Sequence, residues 1–337
     1  MRLHALALVL LSISLPTFAA EPYAKVAEVQ VGGIGRFDLM GIDSAGHRLY
    51  LSHGTEAVVI DTSTNKVVGR IENTPGIHGI AVAPELGLAF TTNGGENKLG
   101  IVDVKTLQTK SKVDTGANPD ALLYESTMKQ VWTFNHTGKS VTIVDAVQGT
   151  VVATTALSGQ AELGAADATL GKVFVNLEDT NSIAAIDMMT HAVLATYPVE
   201  PATGPTGLAI DTASHHLFVG GGEGNALVML DARNGKVLAS IPICKGTDST
   251  AFDAGTNTVF VACGDGHIMA ITEKGDTLTV TQTIDTARGA RTMIIDPVTH
   301  RLYTAAAEFL PADPAKPNAR PQMKEDSLKV LVYGAGK

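Results

Sequence analysis

The sequence predicts an all-β fold, a seven-bladed β-propeller of four-stranded antiparallel blades, and three observations predict it. A large aromatic residue returns at Tyr50, Phe90, Trp132, Phe174, Phe218, Phe260 and Tyr303, at spacings of 40 to 44 residues. An aspartate keeps the same period at Asp61, Asp103, Asp145, Asp187 and Asp231, with Thr272 in the sixth place. Between these markers lie short apolar runs cut by Asn, Gly and Asp. A period in the low forties built of short strands and turns is the sequence form of a propeller blade.

In chain order, residues 1–19 carry Arg2, an apolar run from Leu3 to Leu15 and small residues at Thr17 and Ala19, the layout of a cleaved secretory signal peptide. The mature chain, 20–337, is therefore expected to be one propeller domain in a periplasmic or secreted setting. No later stretch is apolar for long enough to span a bilayer. A strand-like segment, AKVAEVQVG at 24–32, precedes the first repeat, whereas the seventh repeat supplies only RTMIID, RLYTAA and SLKVLVYG. The N-terminal strand is expected to complete the last blade and remove the open sheet edge there.

Blade four shows the plan of one repeat, with strands near 164–167, 172–177, 182–186 and 192–198. Its Val-Phe-Val run at 173–175 is apolar on both sides because a blade packs against a neighbour through each face. The recurring aspartates open the turns between third and fourth strands, where a carboxylate can accept N–H bonds from the turn. Five similar aspartates at five similar turns are structural. In blade seven, residues 305–326 form a long loop whose four prolines favour a stiff path. If it folds inward, Glu308 and Arg320 become candidate ligand contacts.

The strands LYLSHG, LAFTTNG and VWTFNH, leading to VVIDTSTNKVV, LGIVDVKTLQT and VTIVDAVQGTV, resemble the YVTN-type β-propeller repeat family, including exported YncE-like proteins. The resemblance covers essentially the whole mature chain and departs in blade six, where AITEKGDTL lacks the turn aspartate. It implies a seven-bladed periplasmic or surface protein. Propellers with related repeats bind ligands, bind partners or sit beside redox and lyase chemistry.

A formal net charge of −9 and no Lys/Arg stripe disfavour nucleic acid as a partner. A monomer is expected, with a small molecule or a protein as partner. Cys244 and Cys263 fall at one rim of blade six, and export favours a disulfide between them over a metal pair. No G-x-S-x-G elbow and no C-x-x-C-H haem site occur.

Five positions before the end of each innermost strand stand Asp38, His78, Asp120, Glu162, Thr206, Asp248 and Arg291. A packing position would hold one kind of residue in every blade. This one is polar in all seven and varies in type, as a ligand-facing ring at a tunnel mouth would be. The loops between second and third strands add His53, Asn93, His136, Glu178, Glu223, Asp265 and Glu308 on the same face. His53, His78, His136 and Asp120 suit a divalent transition metal such as Zn, Cu, Fe or Ni. The alternative stays open that rim histidines only bond loop backbone. His47, His191, His215, His216 and His300 fall toward the opposite face and receive no role. The expected function is a binding or scaffold protein with its site at the tunnel mouth. The alternative is a metal-dependent hydrolase or lyase, similar to propeller lactonases and streptogramin lyases, with a metal-held water at the His53/His78/His136 corner.

Overall fold

Seven four-stranded antiparallel sheets stand around a central tunnel in the computed structural model, which describes residues 21–311 and 321–336. The signal peptide assigned to 1–19 and Arg320 lie outside the described residues. Blades one to six each use four consecutive strands. Blade four, for example, is Ala161–Asp167, Lys172–Leu177, Ser182–Asp187 and Val193–Pro198. Blade seven takes three strands from the C-terminal part and its fourth from Tyr23–Gln30, which pairs antiparallel with Lys329–Ala335. Among the described residues no helix is long and apolar enough to cross a membrane.

The seven aromatics explain the period. Each sits in the second strand of its blade, at most 1% exposed, and fills the space against the following blade. Trp132 packs with Val173 and Val175, Phe174 with Leu208 and Leu217, and Tyr303 with Leu49 and Leu51 across the closure of the ring. A single blade has no cover for such a ring. Truncating one to alanine costs about 3–5 kcal/mol.

The turn aspartates act as expected. Asp61 Oδ1 accepts the N–H groups of Ser63 and Thr64 at 2.9 and 2.7 Å, and Asp187 Oδ1 those of Met189 and Thr190 at 2.9 and 2.7 Å. Blade six departs for a geometric reason. Its third and fourth strands, His267–Lys274 and Thr277–Asp285, run on past Thr272 to a tight turn at Gly275, where φ is 57°. Thr272 therefore pairs with Thr279 inside a hairpin and has no turn to open.

At the other end of blades one to six the innermost strand is interrupted. Its pairing with the second strand skips from Phe37 to Met40, Ile77 to Ile80, Pro119 to Leu122 and Ala161 to Gly164 in blades one to four. In blades five and six it skips from Pro205 to Gly207 and from Thr247 to Ser249. A bulge frees a residue from the ladder and re-aims its side chain. The freed residues include Asp38, His78, Asp120, Glu162, Thr206 and Asp248.

Candidate functional site at the tunnel mouth

Across blades one to four the bulged residues and one loop histidine form an arc of alternating acid and imidazole. His78 Nδ1 lies 2.8 Å from Asp38 Oδ2 and 3.3 Å from Asp120 Oδ1, so one ring nitrogen faces carboxylates from both neighbouring blades. His136, from the loop after the second strand of blade three, places Nδ1 2.8 Å from Glu162 Oε1. Its Nε2 is 3.9 Å from Glu178 Oε2. Two groups thereby offer three ligand atoms within 4.8 Å of one another, Asp38/His78/Asp120 and Asp120/His136/Glu162, and they share Asp120.

Charge accumulates here faster than it is compensated. Burial, then the nearby Asp38 carboxylate, push Asp120 up to about 7, against the pull of His78. Burial also pushes Asp248 up to about 7, despite Arg291 beside it. The Glu162 hydrogen bond raises His136 to about 9. Burial alone would discharge His78, but its bond to Asp38 and the charge of Asp120 outweigh that and raise it.

The mouth is also asymmetric. On the side of blades six, seven and one, Arg291 Nε lies 3.0 Å from Asp248 Oδ2, and Arg36 is close enough to oppose charge on His78. Arg36, Asp38 and Arg291 open onto a cavity of about 1000 Å³.

Not every residue of the predicted ring faces a ligand. The Thr206 hydroxyl donates to the Thr247 carbonyl at 2.7 Å and is buried. His53 separates from His78 and His136. It is 3% exposed, lies beneath the loop at Gly33 with Nδ1 3.6 Å from Glu56, and joins no group of three potential ligands among the described residues. Gly33 has φ +79°, and a Cβ there would come 2.9 Å from the His53 ring. The four-residue set His53, His78, His136 and Asp120 is thus corrected to two three-residue groups that omit His53. Other residues assigned to the loops are held locally: Asn93, which ends the second strand of blade two rather than lying in the loop, by Glu96 at 2.9 Å, and Glu308 by Lys324 at 2.7 Å. Cys244 and Cys263 form a disulfide.

Sequence reasoning missed two features. The cavity wall of Ile34, Phe37, Phe309 and Met323 gave no signal, because apolar residues in loops look like core. The second is at the opposite end, where His300 Nδ1 lies 2.8 Å from Asp253 Oδ2 and His215 bonds Asp167, each joining one blade to the preceding one. The position of these histidines beside the first-to-second-strand turn was the available signal.

No known family pattern matches the chain, and no characterised protein matches it in sequence. One chain of the crystal structure of the mitotic checkpoint complex superposes on 99% of this chain and 98% of its own length, with a TM-score of 0.76 and 12% identity. At that identity the likeness is one of fold. The chain is a β-propeller, an architecture compatible with a binding or scaffold role.

Proposed function

We propose that the chain is an exported binding protein of YVTN-like repeat type whose tunnel mouth takes up a divalent transition-metal cation. The observation that carries this is the sharing of Asp120 between two imidazole–carboxylate groups. Oxygen and imidazole ligands together suit Zn, Cu, Fe or Ni, and a cation there would offset the burial and the Asp38 repulsion that push Asp120 up to about 7. The leader-like residues 1–19 and the Cys244–Cys263 disulfide support export to an oxidising compartment. The hydrolase or lyase reading drew on His53, His78 and His136 as one corner. With His53 seated under Gly33 that corner is not assembled, and binding is the function the geometry supports best.

Elemental mass spectrometry of the mature protein, purified without chelators, tests the reading beside His78→Ala and Asp120→Ala. Stoichiometric metal in the parent, lost from both variants, is expected. A parent protein that carries no metal and takes up no Zn, Ni or Cu in calorimetry overturns it.

A further inference from the structure

The cavity beside the arc has a chemistry of its own. Two guanidinium-bearing residues, Arg36 and Arg291, line it. Arg291 places Nε 3.0 Å from Asp248 Oδ2, and its side chain stays 57% exposed in the cavity lining, with further N–H donors on the guanidinium beyond the one facing Asp248. The carboxylate of Asp38 in the same lining is already engaged by His78 at 2.8 Å. Among the described residues the charged group of the lining that makes no ion pair is therefore Arg36.

The rest of the lining is largely apolar. Ile34 and Phe37 come from the segment before blade one, and Phe309 and Met323 from the two arms of the long blade-seven loop. Those arms are ordered against each other. Leu310 N–H donates to the Gln322 carbonyl and Lys324 N–H to the Glu308 carbonyl, each at 2.8 Å. Asp326 ties the same loop to Gly33, its Oδ1 accepting the Gly33 N–H at 2.8 Å. Yet Ile34 is 69% and Phe309 49% exposed. Large apolar side chains that line a cavity and stay exposed among the described residues are the surface that a bound apolar group removes from water.

From these features we infer that the cavity binds a small organic anion, an aromatic or aliphatic body bearing one carboxylate or sulfonate. The body lies between Ile34, Phe37, Phe309 and Met323, and the anionic group bridges Arg36 and Arg291. A volume of about 1000 Å³ accommodates a molecule of two fused or linked rings. The site does not rest on the metal reading, because neither arginine nor any apolar wall residue belongs to the two imidazole–carboxylate groups.

Fluorescence titration of the chelator-treated, metal-free mature protein with anilinonaphthalene sulfonate tests the inference, with uncharged phenylnaphthylamine as the control. One sulfonate site per chain is expected, weakened about tenfold or more in Arg36→Gln and in Arg291→Gln. Phe309→Ser and Ile34→Ser, at exposed positions, should each weaken it several-fold with an unchanged thermal melt. If Arg291→Gln fails to fold because Asp248 loses its partner, Arg36→Gln and Phe309→Ser decide the matter. No sulfonate binding, equal binding of the uncharged analogue, or binding indifferent to both the arginine and the apolar variants would overturn the proposal. Because no metal is present, failure here leaves the metal reading standing, and failure of the metal experiment leaves this one.

Discussion

The two ends of the propeller are built from the same residue types to opposite effect. At the end carrying the turns between first and second and between third and fourth strands, aspartates repeat blade after blade and are saturated with donors. Asp167 is fully buried and accepts bonds from the Thr169 and Leu170 N–H groups, the Thr169 hydroxyl and His215. Burial alone would raise its pKa, but those hydrogen bonds outweigh it and the net shift is downward. At the tunnel mouth, Asp120 and Asp248 are pushed up to about 7. Identical side chains thus stabilise one end as anions and strain the other. A repeated carboxylate with its own donors is architecture, and an unrepeated one held above its natural pKa is the mark of a site.

The largest expected effect breaks the saturated end. Asp167→Ala leaves buried turn N–H groups and His215 without their acceptor and should cost about 2–3 kcal/mol in denaturant unfolding. Asp253→Ala should behave alike, since Asp253 is 1% exposed and holds His300. A cost near zero in both would remove the structural role assigned to the histidines that clamp adjacent blades.

At the mouth the sign reverses. The folded pKa of Asp120, about 7, lies above its ordinary 3.8, so between those values the folded protein holds a proton that the unfolded chain has released. Stability from this group is therefore present at low pH and is lost as pH rises toward 7. Asp120→Asn should stabilise the metal-free protein by on the order of 1–3 kcal/mol at pH about 8, a gain that shrinks as pH falls toward 4. Asp167, shifted downward, does the opposite, and its contribution is lost only as pH falls below the ordinary aspartate range. A pH-independent gain in Asp120→Asn would mean that the residue is not strained by charge.

Metal uptake sharpens the same contrast by a smaller measure. Binding must displace the proton of Asp120 and compete with the one on His136, raised to about 9. Affinity for Zn, read by competition with a chromophoric chelator, should therefore rise with pH through 7 and keep rising toward 9. A flat profile across that range would place the metal elsewhere.

The fold was legible because its signals are redundant. Seven buried aromatics and five turn aspartates each report the period, and every copy performs one physical task. The bulged position at the mouth was legible in part for the reverse reason, since it stays polar while changing type, yet Thr206 at that position is buried against the Thr247 carbonyl. What the sequence could not supply was distance. His53 ends the second strand of blade one and turns under Gly33, whereas His136 stands one position further on, in the loop after Asn135, and reaches Glu162 in the next blade. Arg36, Ile34 and Phe309 meet only because the blade-seven loop is tied back to the N-terminal segment through Asp326 and Gly33, a contact spanning nearly the whole chain.

Blade six supplies the smallest and most discriminating test of the repeat logic. If the turn aspartates matter because they sit in the period, Thr272→Asp should repair the missing copy and stabilise the protein. If they matter because their carboxylate meets two turn N–H groups, the same change should bring no gain. Thr272 lies opposite Thr279 within a continuous hairpin, and the chain does not reverse until Gly275, so there are no N–H groups for a new carboxylate to collect. Instead, Asp would replace a good strand former with a poor one. The expected outcome is a slightly lowered melting temperature, and a raised one would show that the period, rather than the hydrogen bonds at the turn, carries the stabilisation.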